Sequence, residues 1–419
     1  MSIRKSLVIV VILALIISAM PAFAQGDEKI TLRVMHWTDT MTMQSEWWSS
    51  IVEGFEAQHP NVTVETNFIP FAQYLPSLEA MIAGEELPDV FFGHVKVAEL
   101  GRAGAIVNYS EVFGEEYISQ FFPGPVRQFT FDGNVYALPW TAQMFGIFVN
   151  GKIMEELGLE PPQTWDDLLA MAPTIIDAGY VPLAWGNAAM NVCPDFFLPL
   201  ITQYGGDVYA LDDLSDPNVS WDSEPVIQAL TLLQTLAENN VFVAGINGVT
   251  EEQGAQIAYQ GRAAMFYAGS WYPGGLFAQQ APEEYLENYY VIKNPALTPD
   301  GIHWSGDGSG EGWVVKANSP NTEMALEFVK YLFTDEAYSI HITATQNMPS
   351  MPAALDYLEN EIVKEMTTWL ETDGANHILF GQGSWDAVAN VCAGILDGSV
   401  EPEEGAAQIQ AAVLEARGR

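Results

Sequence analysis

Hydrophobic positions in the first hundred residues follow two periodicities in turn. Residues 30–37, 61–68 and 88–92 are short segments rich in apolar β-branched and aromatic side chains, which is typical of strands. Residues 44–58 and 71–83 instead repeat apolar side chains at helical spacing, so they predict amphipathic helices. The order strand, helix, strand, helix, strand predicts a parallel sheet with crossover helices.

Two local motifs in the middle of the chain predict a turn and a helix start. Asp132-Gly133 lies between two alternating runs and predicts a β-hairpin over residues 129–138. Thr164, followed three residues later by Asp167, predicts an N-terminal capping box.

The last hundred residues add further helix signals. Ser319-Pro320 predicts a helix start, with Phe328 and Leu332 on the buried face of that helix. Residues 384–416 predict two helices separated by residues 398–404. The whole pattern is typical of an α/β protein with more than one lobe and without a flexible linker between lobes.

The N-terminus has the pattern of a secretory signal peptide over residues 1–24. Arg4 and Lys5 precede an apolar run over residues 7–20, and Ala22-Phe23-Ala24 is a suitable cleavage site. That apolar run is short for a membrane span, and no other unbroken apolar stretch is long enough for one. Because the residue directly after the cleavage site is Gln25 and not a cysteine, no lipid anchor is expected. The mature protein is therefore expected to be exported, to the periplasm or the cell exterior.

Charge is the most unusual feature of the composition. The 419 residues carry 15 Lys+Arg against 54 Asp+Glu, for a formal charge of −39, while 49% of residues are hydrophobic. A field of that sign repels nucleic acid and disfavours an anionic ligand. The high acidity is most simply an adaptation for solubility or for salt. The length suits two or three domains.

Cys193 and Cys392 are the only two cysteines. In an oxidising compartment they would be able to form one disulfide closing a long loop. The sequence leaves that bond and two free thiols as equal alternatives.

Motifs for catalysis or for a bound cofactor are weak. The six histidines lack the i, i+4 partner of a helical zinc site, and no Gly-x-Ser-x-Gly occurs. Residues 146–153 approach a phosphate-binding loop, but Ile153 occupies the position where Ser or Thr would bind magnesium. The sequence therefore predicts a protein without cofactor, metal or catalytic activity.

Tryptophan is abundant, and four of the 12 tryptophans end apolar stretches beside small or polar residues: Trp37, Trp140, Trp185 and Trp271. Ligand clefts in α/β folds lie at the C-terminal ends of strands. An indole face packs on the C–H face of a sugar ring, while short polar neighbours bond the sugar hydroxyls. A core position is an equal alternative for any one of them. Together they favour carbohydrate.

Motifs along nearly all of residues 30–415 resemble a known family. The segments that carry the resemblance are HWTDT, GFEAQHPNVTVE, ELPDVFFG, FDGNVYALPW, FGIFVNGKIMEELGLEPPQTWDDLL, YQGRAAMFYAGSW and NTEMALEFVKYLFTDEA. In order and spacing they are similar to the extracellular solute-binding proteins of family 1. These are the sugar receptors of ABC importers and include maltose-binding proteins.

The resemblance implies a two-lobed, type II-like periplasmic binding-protein fold with a ligand cleft between the lobes. Three crossings between the lobes are expected near residues 141–145, 290–294 and 343–349. The N-terminal lobe would then contain residues 30–140 and 293–345. The C-terminal lobe would contain residues 141–292 and 346–419.

The expected ligand-binding residues come from three sources. The resemblance implies Trp37 and Asp39 after the first strand, and also His94, Gln143, Trp271 and Trp385. Local chemistry alone adds Trp140, Trp185 and Asn187. The Gly-rich loop GDGSGEG adds Asp307 and Glu311, for which a turn role is almost equally favoured.

The implied function is that of a monomeric carbohydrate receptor that transiently docks on a membrane permease and binds no nucleic acid. One alternative is a receptor for a polyamine or another cation, which aromatic side chains with Asp39, Asp307 and Glu311 would suit. The other is an exported glycoside hydrolase, which needs two acids at a defined separation that the sequence does not single out. No lysine follows Trp37, and Gly93 and Ala389 replace a tryptophan and an arginine of some sugar binders. These departures favour a ligand other than a maltodextrin.

Overall fold

A computed structural model of the chain describes residues 29–38, 46–212, 219–378 and 383–416. The strands, in chain order, are β1 (Ile30–Thr38), β2 (Val62–Pro70), β3 (Val90–Phe92), β4 (Thr130–Phe131), β5 (Asn134–Val135), β6 (Leu138–Pro139), β7 (Gln143–Asn150), β8 (Val181–Ala184), β9 (Ala263–Gly269), β10 (Tyr289–Ile292), β11 (Ser305–Gly308), β12 (Gly312–Val315) and β13 (Gly374–Asn376). The expected signal peptide lies outside the described residues.

Helices flank the strands throughout. They are α1 (Glu46–Gln58), α2 (Phe71–Ala83), α3 (Val97–Arg102), α4 (Tyr109–Val112), α5 (Gly114–Ile118), α6 (Pro123–Gln128), α7 (Gly151–Leu157), α8 (Trp165–Asp177), α9 (Val192–Gln203), α10 (Val208–Asp212), α11 (Glu224–Glu238), α12 (Glu251–Tyr259), α13 (Ala278–Gln280), α14 (Glu283–Leu286), α15 (Thr322–Leu332), α16 (Asp335–Thr345), α17 (Glu361–Thr367), α18 (Ser384–Asp397) and α19 (Pro402–Ala416). None of the helices in the described ranges is long and apolar enough to cross a membrane.

The first sheet confirms the parallel start that the periodicity predicts. Its strand order is β2-β1-β3-β12-β6, and β1 pairs in parallel with both β2 and β3. Helix α1 buries Trp48, Ile51 and Phe55, the face expected from the spacing of its apolar residues. The strand β12 returns antiparallel to β3 from much later in the chain.

The second sheet has the order β13-β11-β7-β9-β8, with β10 also paired to β7. Strand β9 lies between β7 and β8 and is buried along its whole length. Its three alanines allow α12 to pack closely against it. The two sheets with their helices form two α/β lobes, as predicted.

The local motifs are confirmed at two of the three sites where they predict a boundary. Asp132 and Gly133 connect β4 and β5 with φ of 53° and 77°, the positive values that a tight hairpin turn needs. Thr164 and Asp167 form the predicted capping box, with N–H···O distances of 3.1 and 2.8 Å. The helix predicted at Ser319 begins instead at Thr322.

The later start of α15 follows from the bonds that Ser319 makes. Its hydroxyl accepts the N–H of Asn321 at 3.0 Å and donates to the Asp89 carboxylate, which holds a turn in place of the first helical residues. At the C-terminal end, the two predicted helices are confirmed as α18 and α19, separated at Gly398 with φ of 73°.

The first and third crossings between lobes lie side by side. The chain leaves the first sheet after β6 and enters the second at β7, through residues 140–142. Thr141 forms a bridge with Pro349, and the Ala142 N–H donates to the Met348 carbonyl at 3.0 Å. The predicted segment 343–349 therefore meets the hinge, although the chain reaches the second lobe only at α17, which packs on β7 and β10.

The second crossing was predicted at residues 290–294, and that position is wrong. There β10 pairs antiparallel with β7, with Tyr290 opposite Val149, so the chain stays in the second lobe. Strand β11 also pairs with β7, and the next strand, β12, belongs to the first sheet. The crossing is therefore residues 309–311, and residues 293–308 belong to the second lobe rather than the first.

Candidate functional site

A cleft of about 350 Å³ opens between the lobes. Its wall comes from the end of β1, the residues just after β9, the first two crossings and the starts of α9, α12 and α18. Strand ends are the usual place for ligand sites in α/β folds. Six of the expected ligand-binding residues line it: Trp37, His94, Gln143, Trp271, Glu311 and Trp385. Asp39 lies outside the described residues.

Trp37 forms the first-lobe wall and is held rigidly. Its ring is nearly perpendicular to Tyr74 and His94, with centroids 4.9 and 5.4 Å away. Its Nε1 donates to Glu311 Oε1 at 3.3 Å, and Glu311 Oε2 accepts the Thr141 hydroxyl at 2.7 Å. Glu311 thus ties the first lobe to two of the crossings, and the indole is oriented before any ligand arrives.

His94 has the features of a polar ligand contact. Its φ of 45° is in the left-handed region, a conformation that is concentrated at functional sites in non-glycine residues. Burial lowers its pKa to about 4, so the ring is neutral at pH 7. The buried Nδ1 has no protein partner among the described residues, and the residue as a whole lines the cleft.

Gln143 lies at the hinge, at the start of β7. Its Oε1 accepts the Gly310 N–H at 3.1 Å, so this side chain joins the first crossing to the second. A ligand bonded to Gln143 would therefore contact a side chain that links two of the segments joining the lobes.

Replacing Gln143 by alanine is expected to weaken ligand binding by roughly 1 kcal/mol, about fivefold, because the Gly310 N–H loses its acceptor and the ligand loses an amide. Isothermal titration of the variant measures this loss. Unchanged affinity would remove Gln143 from the site.

Trp271 forms the second-lobe wall, two residues after β9. A Cβ built on Gly269 would lie 1.9 Å from Trp271 Cζ3, so the indole lies across the bare backbone of that glycine. Phe145 supports the ring edge-on, with centroids 5.2 Å apart and planes at 89°. The indole is partly exposed to the cleft, and Trp385 of α18 is the other partly buried indole of this wall.

Replacing Gly269 by alanine is expected to displace the Trp271 ring, because the added methyl group occupies the same space. We expect a loss of affinity of roughly 1 kcal/mol in the wild-type background. In a chain that already carries Trp271→Ala, the same change should cost nothing. Titrations of the four proteins of this double-mutant cycle measure the coupling, and equal losses in both backgrounds would contradict it.

Three predicted ligand residues are structural instead. Trp140 is 3% exposed and stacks on His341, with centroids 4.3 Å apart. Trp185 is fully buried and stacks on Phe196 at 5.7 Å. Asn187 is also fully buried, where its Oδ1 accepts the Cys193 N–H at 3.1 Å. Their assignment to the ligand site is corrected, since none lines the cleft.

Asp307 is also corrected, because it lies behind the hinge. It is 3% exposed, and its carbonyl accepts from Gln128 Nε2 at 3.2 Å. Burial raises the pKa of its carboxyl group to about 7, and the Arg127 guanidinium offsets part of that rise.

The two cysteines are neighbours and free thiols in this structure. Both are fully buried, and a hydrogen bond joins them. Burial raises the pKa of the Cys193 thiol well above its usual range, which keeps it protonated and unreactive. The structure has both side chains as free thiols, and the disulfide between them stays a prediction.

The cleft also contains residues that were not predicted. Asp195 and Asn191 at the start of α9, Glu251 at the start of α12, and Phe71 and Tyr272 all line it. For Asp195 a signal was available, since it is the single acid in the apolar stretch VCPDFFLPLI. Among the described residues, no group of three His, Cys, Asp or Glu side chains is placed to hold a metal ion.

Two lobes that are joined by three crossings and enclose an aromatic-lined cleft define a two-lobed solute-binding protein. The chain belongs to the bacterial extracellular solute-binding protein family, which it matches over residues 39–339.

Individual relatives are distant but cover most of the chain. The maltodextrin-binding protein of Bacillus subtilis is 23% identical over 367 residues, 84% of this chain and 81% of that protein. The diacetylchitobiose-binding protein of Streptomyces coelicolor is 21% identical over 323 residues, 73% of this chain and 68% of that protein. A solved chitin oligosaccharide-binding protein superposes with a TM-score of 0.79 at 19% identity, covering 94% of this chain and all of that one. This superposition, over nearly the whole of both chains, confirms the two-lobed fold.

Proposed function

We propose that this protein is the solute-binding component of an ABC importer, and that it binds a mono- or oligosaccharide in the cleft between its lobes. It would act outside the cytoplasmic membrane as a monomer and pass the sugar to a membrane permease. One observation carries the proposal. Trp37 of the first lobe and Trp271 and Trp385 of the second line one cleft, beside short polar side chains.

The chemistry of the cleft supports a sugar. Indole faces pack on the C–H faces of pyranose rings, and His94, Gln143 and Asn191 offer bonds to hydroxyl groups. The volume of about 350 Å³ is at the lower end of small-molecule sites, which favours a short saccharide. Relatives named for maltodextrin and for diacetylchitobiose agree with this ligand class.

Binding would work by closure. A sugar that contacts Trp37 and Trp271 together interacts with the closed form more strongly than with the open form, and so shifts the population toward closure. The affinity then depends on the free energy of closing as well as on the contacts. The closed form is the state expected to dock on the permease.

The direct test is a thermal-shift screen of the mature protein against a sugar library, followed by calorimetry of the hits. A ligand at 100 times its Kd should stabilise the fold by about 2.7 kcal/mol. A library in which no saccharide raises the melting temperature would overturn the proposal.

A second measurement separates a receptor from a hydrolase. The bound sugar, incubated with the protein and analysed by chromatography, is expected to be recovered unchanged. Release of shorter products would instead indicate a glycoside hydrolase. Light scattering at micromolar concentration checks the expected monomer.

A further inference from the structure

Charge in the cleft is one-sided. Four acids line it, Asp195, Glu251, Glu252 and Glu311, and no Lys or Arg is among the described lining residues. The two lining histidines do not compensate, because burial lowers the pKa of His94 and His377 to about 4 and both are neutral at pH 7. Glu311 is bonded to Trp37 and Thr141, so it already serves the hinge.

Asp195 differs from the other buried aspartates of the described chain. Asp89 accepts the Arg33 N–H at 2.8 Å, Asp373 pairs with Lys293 at 2.5 Å, and Asp307 has the charge of Arg127 nearby. Asp195 is 8% exposed, and no described group donates a hydrogen bond to its carboxyl group. Its small exposed area faces the cleft, where it is one of the lining residues.

The surroundings of Asp195 increase its need for a cation. Burial raises the pKa of its carboxyl group well above the usual range, and the nearby Glu251 carboxylate raises it further. Glu251 is held in place by Asn191 Nδ2 at 2.7 Å and the Tyr272 hydroxyl at 3.3 Å. A buried carboxyl group without partner or counter-charge is costly to fold, which is the pattern of a group kept for a ligand.

Glu251 also adjoins the aromatic wall. With Trp271 and Tyr272 it lines a small void of about 10 Å³ deeper in the second lobe. An ammonium group near these carboxylates would therefore also lie near an indole and a phenol face, which attract cations. Two carboxylates without a third ligand suit an ammonium group rather than a divalent metal ion.

We propose that the solute carries a protonated amino group and that Asp195, with Glu251 beside it, binds that group. This inference rests on the proposed sugar-binding function. The ligand is then a cationic amino sugar whose ring packs on the indoles and whose ammonium group binds Asp195. A polyamine presents the same ammonium chemistry without the ring, so the experiment must include both.

The test compares matched sugars that differ in a single group. Glucose, galactose and mannose, and a short oligomer of glucose, are each titrated beside the analogue in which one hydroxyl group is replaced by an ammonium group. Putrescine and spermidine are titrated in parallel. For at least one pair we expect the amino member to bind roughly tenfold more tightly, as one charge-assisted hydrogen bond contributes.

Asp195→Asn is the decisive variant, because it keeps the shape and removes the charge. The preference for the amino member should fall to about twofold or less. The melting temperature should not fall, because the replaced carboxyl group is buried without a partner and so does not stabilise the fold. Asp166→Asn, an exposed aspartate of the same lobe, removes one charge away from the cleft and is the matched control. It should keep the full preference.

Each outcome decides something different. Hydroxyl members that bind as well as their amino partners would overturn the ammonium site and leave the sugar receptor standing. An amino preference that survives Asp195→Asn would overturn the role of Asp195. Polyamine binding without any sugar binding, lost in Asp195→Asn, would support the ammonium site and overturn the sugar receptor. Binding of none of these probes would overturn both.

Discussion

Replacing Trp271 by alanine is expected to weaken sugar binding by roughly 1–3 kcal/mol, about 5- to 150-fold in Kd. The indole is partly exposed in the cleft, lies across Gly269 and is braced edge-on by Phe145, so it is a rigid aromatic surface. Such a surface contributes contact area while losing little conformational entropy when ligand binds. Calorimetric titration of the sugar found in the library screen measures the loss.

Two further variants separate binding from folding. Trp271→Phe keeps a smaller ring on the same backbone and should recover part of the affinity. Trp185→Ala removes a fully buried indole of the same lobe and should instead cost about 3–5 kcal/mol of unfolding free energy. If Trp271→Ala binds sugar normally but melts as far below wild type as Trp185→Ala does, Trp271 is a core residue.

The contrast between these two tryptophans shows how far the sequence predicts the site. Trp37 lies in β1 and Trp271 follows β9, both inner strands of their sheets, whereas Trp140 and Trp185 follow the edge strands β6 and β8. All four have the same local pattern, an apolar stretch that ends beside small or polar residues. Strand order is decided by pairing between distant segments, so the local pattern does not distinguish the two classes.

The misplaced second crossing has the same physical origin. The elements of residues 30–92 were predicted correctly because the three strands of this segment, which follow one another in the sequence, are also neighbours in the first sheet. Strands β10 and β11, in contrast, both pair with β7, more than a hundred residues earlier. The pattern of residues 289–308 does not predict that these strands pair with β7. Local elements were therefore predictable, while the lobe to which a late strand belongs was not.

The effect of Asp307 on stability is expected to depend strongly on pH. Its carboxyl group has a pKa of about 7 in the folded protein against 3.8 ordinarily, because burial disfavours the charged form. Space around it is tight, since a Cβ at Gly124 or Gly374 would lie within 2.8 Å of its Oδ2. The folded state therefore retains a proton that the unfolded state releases as the pH rises above about 4.

The sign of the effect follows from that retained proton. The contribution of Asp307 to stability is fully present below pH 4, falls as the pH rises toward 7, and stays lost above it. About three pKa units correspond to at most about 4 kcal/mol. Asp307→Asn has nearly the same shape and never ionises, so its stability relative to wild type should rise by a few kcal/mol between pH 4 and 7.

Denaturant unfolding of both proteins at pH 4, 5, 6, 7 and 8 measures the difference between their unfolding free energies. The titration of the other carboxylates is the same in both proteins and cancels in that difference. Asp166→Asn, the exposed control, should stay parallel to wild type at every pH. Parallel curves for Asp307→Asn would mean that the buried carboxyl group ionises normally. Because β11 leads directly into the second crossing, we expect a charge at Asp307 to disturb the segment that joins the lobes and, with it, the proposed closure. The variant should therefore also bind sugar with an affinity that varies less than that of wild type between pH 6 and 8.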